Sequence, residues 1–95
     1  MAAAQKSYTQ CPEIIWNLVN DYVEMRKGSI RSITEESMIV ETDMYKIKTL
    51  YLIRITKSYL GGTILSVETL GDSEDDRVGI EIFFLTIENL LKAFQ

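Results

Sequence analysis

The 95 residues contain no histidine. That one absence removes His-based general-base catalysis, Ser-His-Asp relays and the commonest zinc ligand together. The single cysteine, Cys11, lacks an imidazole partner to activate it and reads as a partly buried helix-cap residue. Glu41 and Asp43 stand two apart, which on a strand puts both carboxylates on one face, close enough to couple. On an exposed strand such a pair is ordinarily solvated. Arg54 interrupts an apolar run and needs either a carboxylate or solvent, and a structural salt bridge is favoured over ligand binding. The acidic stretch "GDSEDDRVG" (71–79) lacks the D-x-[DN]-x-[DN]-G spacing of a calcium loop, so it reads as a charged lead-in to a helix. Gly61-Gly62 has neither the lysine nor the helix that a phosphate-cradling loop requires. No arrangement here specifies a reaction, and the expectation is a protein that is not an enzyme and holds no cofactor or metal.

Length and charge bound the remaining choices. A chain of 95 residues builds one domain, spanning 1–95, since domains most often run to ~100–150 residues. Fourteen acidic against ten basic residues leave a net charge of −4, which points away from nucleic acid and anionic lipid as partners. One cysteine cannot close an internal disulfide, and "MAAAQKSYTQ" has no apolar core of signal-peptide length. No apolar run approaches the ~20 residues that span a bilayer. The expectation is a cytoplasmic protein without a membrane contact.

The elements that must position these residues follow from periodicity. Pro12 suits the first helical position and Glu13 the positive end of the helix dipole. Ile14, Ile15, Leu18, Val19, Tyr22 and Val23 then recur at helical spacing, with Trp16 at the margin of the apolar arc. Arg26 and Lys27 followed by Gly28 give the exit, the glycine being free to take positive φ. Strands are expected near 29–34, 37–43, 48–59 and 63–70, with turns at Glu35-Glu36, around Tyr45, and at Gly61-Gly62. Met38, Val40 and Thr42 alternate against Ile39, Glu41 and Asp43. In the third strand Tyr51, Ile53, Ile55 and Tyr59 compete with Leu50 and Leu52 for the buried face, and a bulge at Leu60 would shift the register. Ile80, Phe83, Phe84, Ile87, Leu90, Leu91 and Phe94 share an arc of about 120° and predict a C-terminal helix. Ile80 to Leu85 read alone could also open as a strand. The result is an α+β domain: an N-terminal helix, a four-stranded antiparallel meander, and a C-terminal helix on the same face of the sheet.

The helix opening "CPEIIWNLVND" and the ending "TIENLLKAF" resemble the two ends of the START-like, or Bet v 1-like, helix-grip superfamily. Pro12, Glu13, Trp16, Leu18 and Asp21 match the first of its patterns, and Leu90, Leu91 and Phe94 the second. The resemblance implies a short strand before the first helix, with "KSYTQ" as its vestige, and a final helix laid across a curved sheet. Full helix-grip domains are about half as long again and carry six or seven strands, so this chain would be a reduced version. The family's business is holding an apolar small molecule between sheet and last helix.

Two functional readings result. The first is a small binding domain that engages a protein partner or itself, because Ile82 and Leu85 fall outside the apolar arc of the last helix and an open sheet has free edges. The second is an apolar ligand held among Trp16, Tyr51, Ile53, Phe84 and Ile87. They separate on whether a cavity lies between sheet and C-terminal helix, or a filled core leaves its apolar surplus outside.

Overall fold

The computed structural model describes residues 1–43 and 48–94, the last without its side chain. In chain order the elements are β1 (Ala3–Tyr8), α1 (Pro12–Met25), β2 (Ser29–Ile33), β3 (Ser37–Thr42), β4 (Thr49–Lys57), β5 (Thr63–Thr69) and α2 (Glu74–Phe94). The strands form one antiparallel sheet in the order β1-β5-β4-β3-β2. Among the described residues the sheet therefore has five strands, not four, and a strand rather than a helix comes first. β1 escaped the periodicity because it contributes almost nothing to the core: five of its six residues are exposed. The turn expected around Tyr45 and the side chain of Phe94 lie outside the described residues.

Alternation decides the buried face. Met38, Val40 and Thr42 of β3, Tyr51, Ile53 and Ile55 of β4, and Thr63, Leu65, Val67 and Thr69 of β5 all turn inward. α1 lies over β4 and β5, α2 over β5 and β1, and the helices touch each other. Ile15, Leu18, Val19, Tyr22 and Val23 descend from α1, and Ile80, Phe83, Phe84, Ile87 and Leu91 from α2. At their meeting Tyr22 and Phe83 stack edge-on at 5.0 Å, and Phe83 and Phe84 at 5.4 Å. The residues of β2 are exposed throughout.

The pairing of β4 with β5 runs unbroken from Tyr51↔Thr69 to Lys57↔Thr63, so no bulge forms at Leu60. The irregularity falls instead in β2 between Ile30 and Ser32, where Arg31 is the extra residue. β4 ends at Lys57, which leaves Tyr59 outside the strand and fully exposed at the hairpin tip. There Gly61 N–H donates to the Ser58 carbonyl and Ser58 N–H to the Gly62 carbonyl. Only Gly61 of the two glycines takes positive φ, at 104°.

The exit of α1 also differs from expectation. Gly28 N–H bonds the Val23 carbonyl and Lys27 N–H the Glu24 carbonyl, the paired bonds of a Schellman cap. The left-handed position in it is Lys27, at φ 53°, not Gly28. Gly28 is constrained by space: a Cβ there would stand 2.9 Å from the Cβ of Thr42. Lys27→Gly should raise stability by ~0.5–1 kcal/mol, because the left-handed penalty on a side-chain residue exceeds the entropic cost of glycine. A urea midpoint that falls would show that the lysine stem contributes packing that outweighs the strain.

α2 begins at Glu74, so the acidic stretch is its first turn rather than a loop. Ser73 Oγ accepts from Asp76 N–H at 3.1 Å, and Asp76 Oδ2 accepts from Ser73 N–H at 3.2 Å. This reciprocal capping box, with three acids at the positive end of the dipole, accounts for the cluster.

Candidate interaction surfaces

Tyr51, Ile53, Phe84 and Ile87 lie together in the core, each at most 2% exposed, and Trp16 packs half-buried against its edge. Four surface recesses lined by described residues each touch at most one of these five. Leu85 is 58% exposed and Ile82 half-buried outside the core. Apolar side chains are also exposed on the surface, and while Met25, Ile30, Ile33, Tyr59 and Leu60 stand apart, two recesses gather the others.

The first is the outer face of the sheet. Register sets Ile39 beside Leu52, and Leu52 beside Glu68. With Met1, Leu50 and Leu70 they line a shallow recess of about 240 Å3. Leu70 is 85% exposed there. Arg54 projects from this same face, exposed and without an ion pair among the described residues, so the structural salt bridge expected for it does not form and solvent satisfies it. Glu41 is held by Arg31, Nη2 to Oε1 at 2.6 Å, while Asp43 is exposed beyond the strand end, and the two acids do not act as a pair.

The second is the free edge of β1 beside α2. Ala4 and Lys6 of the strand and Ile80, Glu81, Phe84 and Leu85 of the helix line an open groove of about 430 Å3. It exists because the small side chain of Ala4 leaves the strand low against the helix. The groove's Lys6 is tied to α2 through Glu88, whose Oε2 accepts from Lys6 Nζ at 3.0 Å and from Tyr8 Oη at 3.3 Å. Lys6 also stands over the Phe84 ring, 5.4 Å from its centroid. Nothing in the local sequence signalled this cluster, since its members are about 80 residues apart.

Cys11 is exposed rather than partly buried: it is the N-cap residue of α1, its extended backbone leaves the thiol outside, and only its carbonyl serves the helix. Among the described residues no three acidic or thiol side chains converge as metal ligands would. No helix among them is long and apolar enough to cross a membrane.

Two phenols are linked to folding. Burial pushes the Tyr8 hydroxyl far up, and the Glu88 carboxylate adds to the shift by its charge and its hydrogen bond. Burial likewise raises Tyr22, against an opposing pull from the Arg26 guanidinium, which stands 5.5 Å over the ring. The Tyr22 hydroxyl has no hydrogen-bond partner among the described residues. A folded pKa raised above the unfolded value of 10.0 leaves the contribution to stability intact below about pH 10. It is lost as pH climbs through the raised folded values. The expected denaturation midpoint therefore falls above pH 10, with tyrosinate absorbance rising together with unfolding. Full tyrosinate absorbance at pH 10–11 from a chain that stays folded would show both phenols open to solvent.

The fold is thus α+β, an antiparallel sheet open on one face and covered on the other by two helices. No family model matches the chain, and no curated protein matches it. Among solved structures it is similar to the crystal structure of protein MLL2253 from Mesorhizobium loti. The TM-score is 0.73 at 12% identity, over 99% of this chain and 98% of that one. At that identity the similarity shows the fold alone.

Proposed function

We propose that this is a small interaction domain, not an enzyme, that works by binding protein, in the first place a second copy of itself. The observation that carries the reading is the division of apolar side chains. Tyr51, Ile53, Phe84 and Ile87 fill one core, while Leu50, Leu70 and Leu85 stay exposed outside it. Exposed apolar groups gathered along a recess mark association surfaces more often than scattered ones do. The element order, a strand, a helix, a meander and a helix over the sheet, supports a reduced helix-grip domain in which core side chains occupy the place of the ligand. The unpaired Cys11 fits a cytoplasmic setting.

Sedimentation of the chain across a concentration series, together with titration of Trp16 fluorescence by anilinonaphthalene sulfonate, tests the reading. Reversible association without saturable quenching of Trp16 is the expected result. A monomer at every concentration whose Trp16 is quenched saturably would transfer the assignment to an apolar ligand between sheet and α2.

A further inference from the structure

The proposal above leaves two surfaces on which a second copy could sit, and the strand edge has the more specific chemistry. Ala2 N–H donates to the Gly71 carbonyl at 2.7 Å and its carbonyl accepts from Thr69 N–H at 2.9 Å, so its main-chain groups face β5. Strand residues alternate in this respect. Ala4, Lys6 and Tyr8 therefore also face β5, whereas Ala3, Gln5 and Ser7 turn their N–H and C=O groups outward, along an exposed edge.

Edges left open in this way are usually blunted by a bulge, by shortness or by an outward lysine. The other edge of the sheet has one of those devices, since β2 is bulged at Arg31. β1 has no register shift. Its lysine does not guard it either, because Lys6 lies over Phe84 and is tied to Glu88 on α2.

We infer that β1 pairs antiparallel with β1 of a second copy about a two-fold axis at Gln5, joining two sheets into one and bringing the α2 helices together at Leu85. This rests on the self-binding reading and names its surface. Gln5 would face the second Gln5, and each Ala3 a Ser7, giving about six main-chain hydrogen bonds across the axis. Charge follows the same symmetry. Within one chain Glu81 lies toward the Ala4 end of the groove and the Lys6–Glu88 pair toward the Tyr8 end. Reversing the second strand brings Lys6 of each copy, which keeps its own Glu88, opposite Glu81 of the other, so that each lysine lies between two carboxylates. A parallel pairing of the same two edges would put the α2 helices on opposite faces of the joined sheet, where these charges could not meet. Ile82 lies outside the groove and takes no part.

The test uses the whole chain. Sedimentation equilibrium should give twice the 10.9 kDa of one chain. Gln5→Pro removes the outward N–H at the axis without touching a bond to β5, because proline is tolerated where a strand N–H faces solvent. It should weaken the dimer at least ~10-fold while circular dichroism stays unchanged. Gln5→Ala keeps that N–H, loses only the exposed bond from Ser66 Oγ to the Gln5 side chain, and should remain dimeric. Leu85→Glu, on a helix face that does not enter the core, should also dissociate the dimer, so the result does not depend on how the proline variant folds. Leu50→Glu on the outer sheet face should leave it intact. Dissociation by Leu50→Glu with Gln5→Pro and Leu85→Glu unaffected would overturn the edge pairing and keep self-binding through the sheet face. A monomeric parent would overturn the pairing outright.

Discussion

A Phe83→Ala chain will lose ~3–5 kcal/mol of stability, as buried aromatic truncations do. Phe83 is fully buried where the two helices meet over the sheet, edge-on to both Tyr22 and Phe84. The truncation therefore removes apolar contact and the ring-edge attraction, worth ~0.5–1.5 kcal/mol per pair, and leaves a cavity that both helices border. Domains of this size have ~5–15 kcal/mol in all, so much of the chain's stability rests on this one ring. Urea unfolding followed at Trp16 measures it. A loss under ~1 kcal/mol would mean that the helices close over the gap, and with it that their packing is loose enough to admit an apolar ligand.

The second large effect is expected at the hairpin, where two adjacent glycines should respond unequally. A Cβ on Gly62 would run into the Tyr8 carbonyl oxygen, with the Tyr8 carbonyl carbon and Thr9 Cα each 3.1 Å away. These are main-chain atoms and cannot rotate aside, so the end of β1 must move. Gly62→Ala should cost ~2–3 kcal/mol, at the upper end for an added methyl in a filled site. Gly61 has open space around it, and alanine there meets only the left-handed backbone, for ~1 kcal/mol. Amide exchange separates the two variants. Gly62→Ala should speed exchange at Ala4, Lys6 and Tyr8, whereas Gly61→Ala should leave β1 protected. Equal effects would indicate that β1 does not lie against the turn.

The distinction between those glycines shows where local reading stops. That a turn stands between β4 and β5 is legible from "GG" itself, because no other dipeptide tolerates so many turn geometries. That Gly62 is required by the chain crossing it from residue 8 is a tertiary fact with no local trace. The same holds at α1, where the exit was legible but the left-handed residue proved to be Lys27 and Gly28 was fixed by Thr42.

What the sequence by itself determined is whatever one element settles with its own periodicity. The apolar stripes of α1 and α2, the inward set Met38, Val40 and Thr42, and the class of the fold all follow from side-chain spacing against one buried face. The tertiary structure decided what depends on partners distant in the chain. The tie between Tyr51, Ile53, Ile55 and the Leu50, Leu52 face was settled by where the helices lie. β1 became a strand because β5 offered it a ladder, not because "AAQKSY" prefers one. With β1 in place, Leu85, merely an outlier on a helical wheel, stands beside an open strand edge. Spacing along the chain encodes which face of an element is apolar, but the neighbour that covers or leaves bare that face is chosen only when the whole core closes.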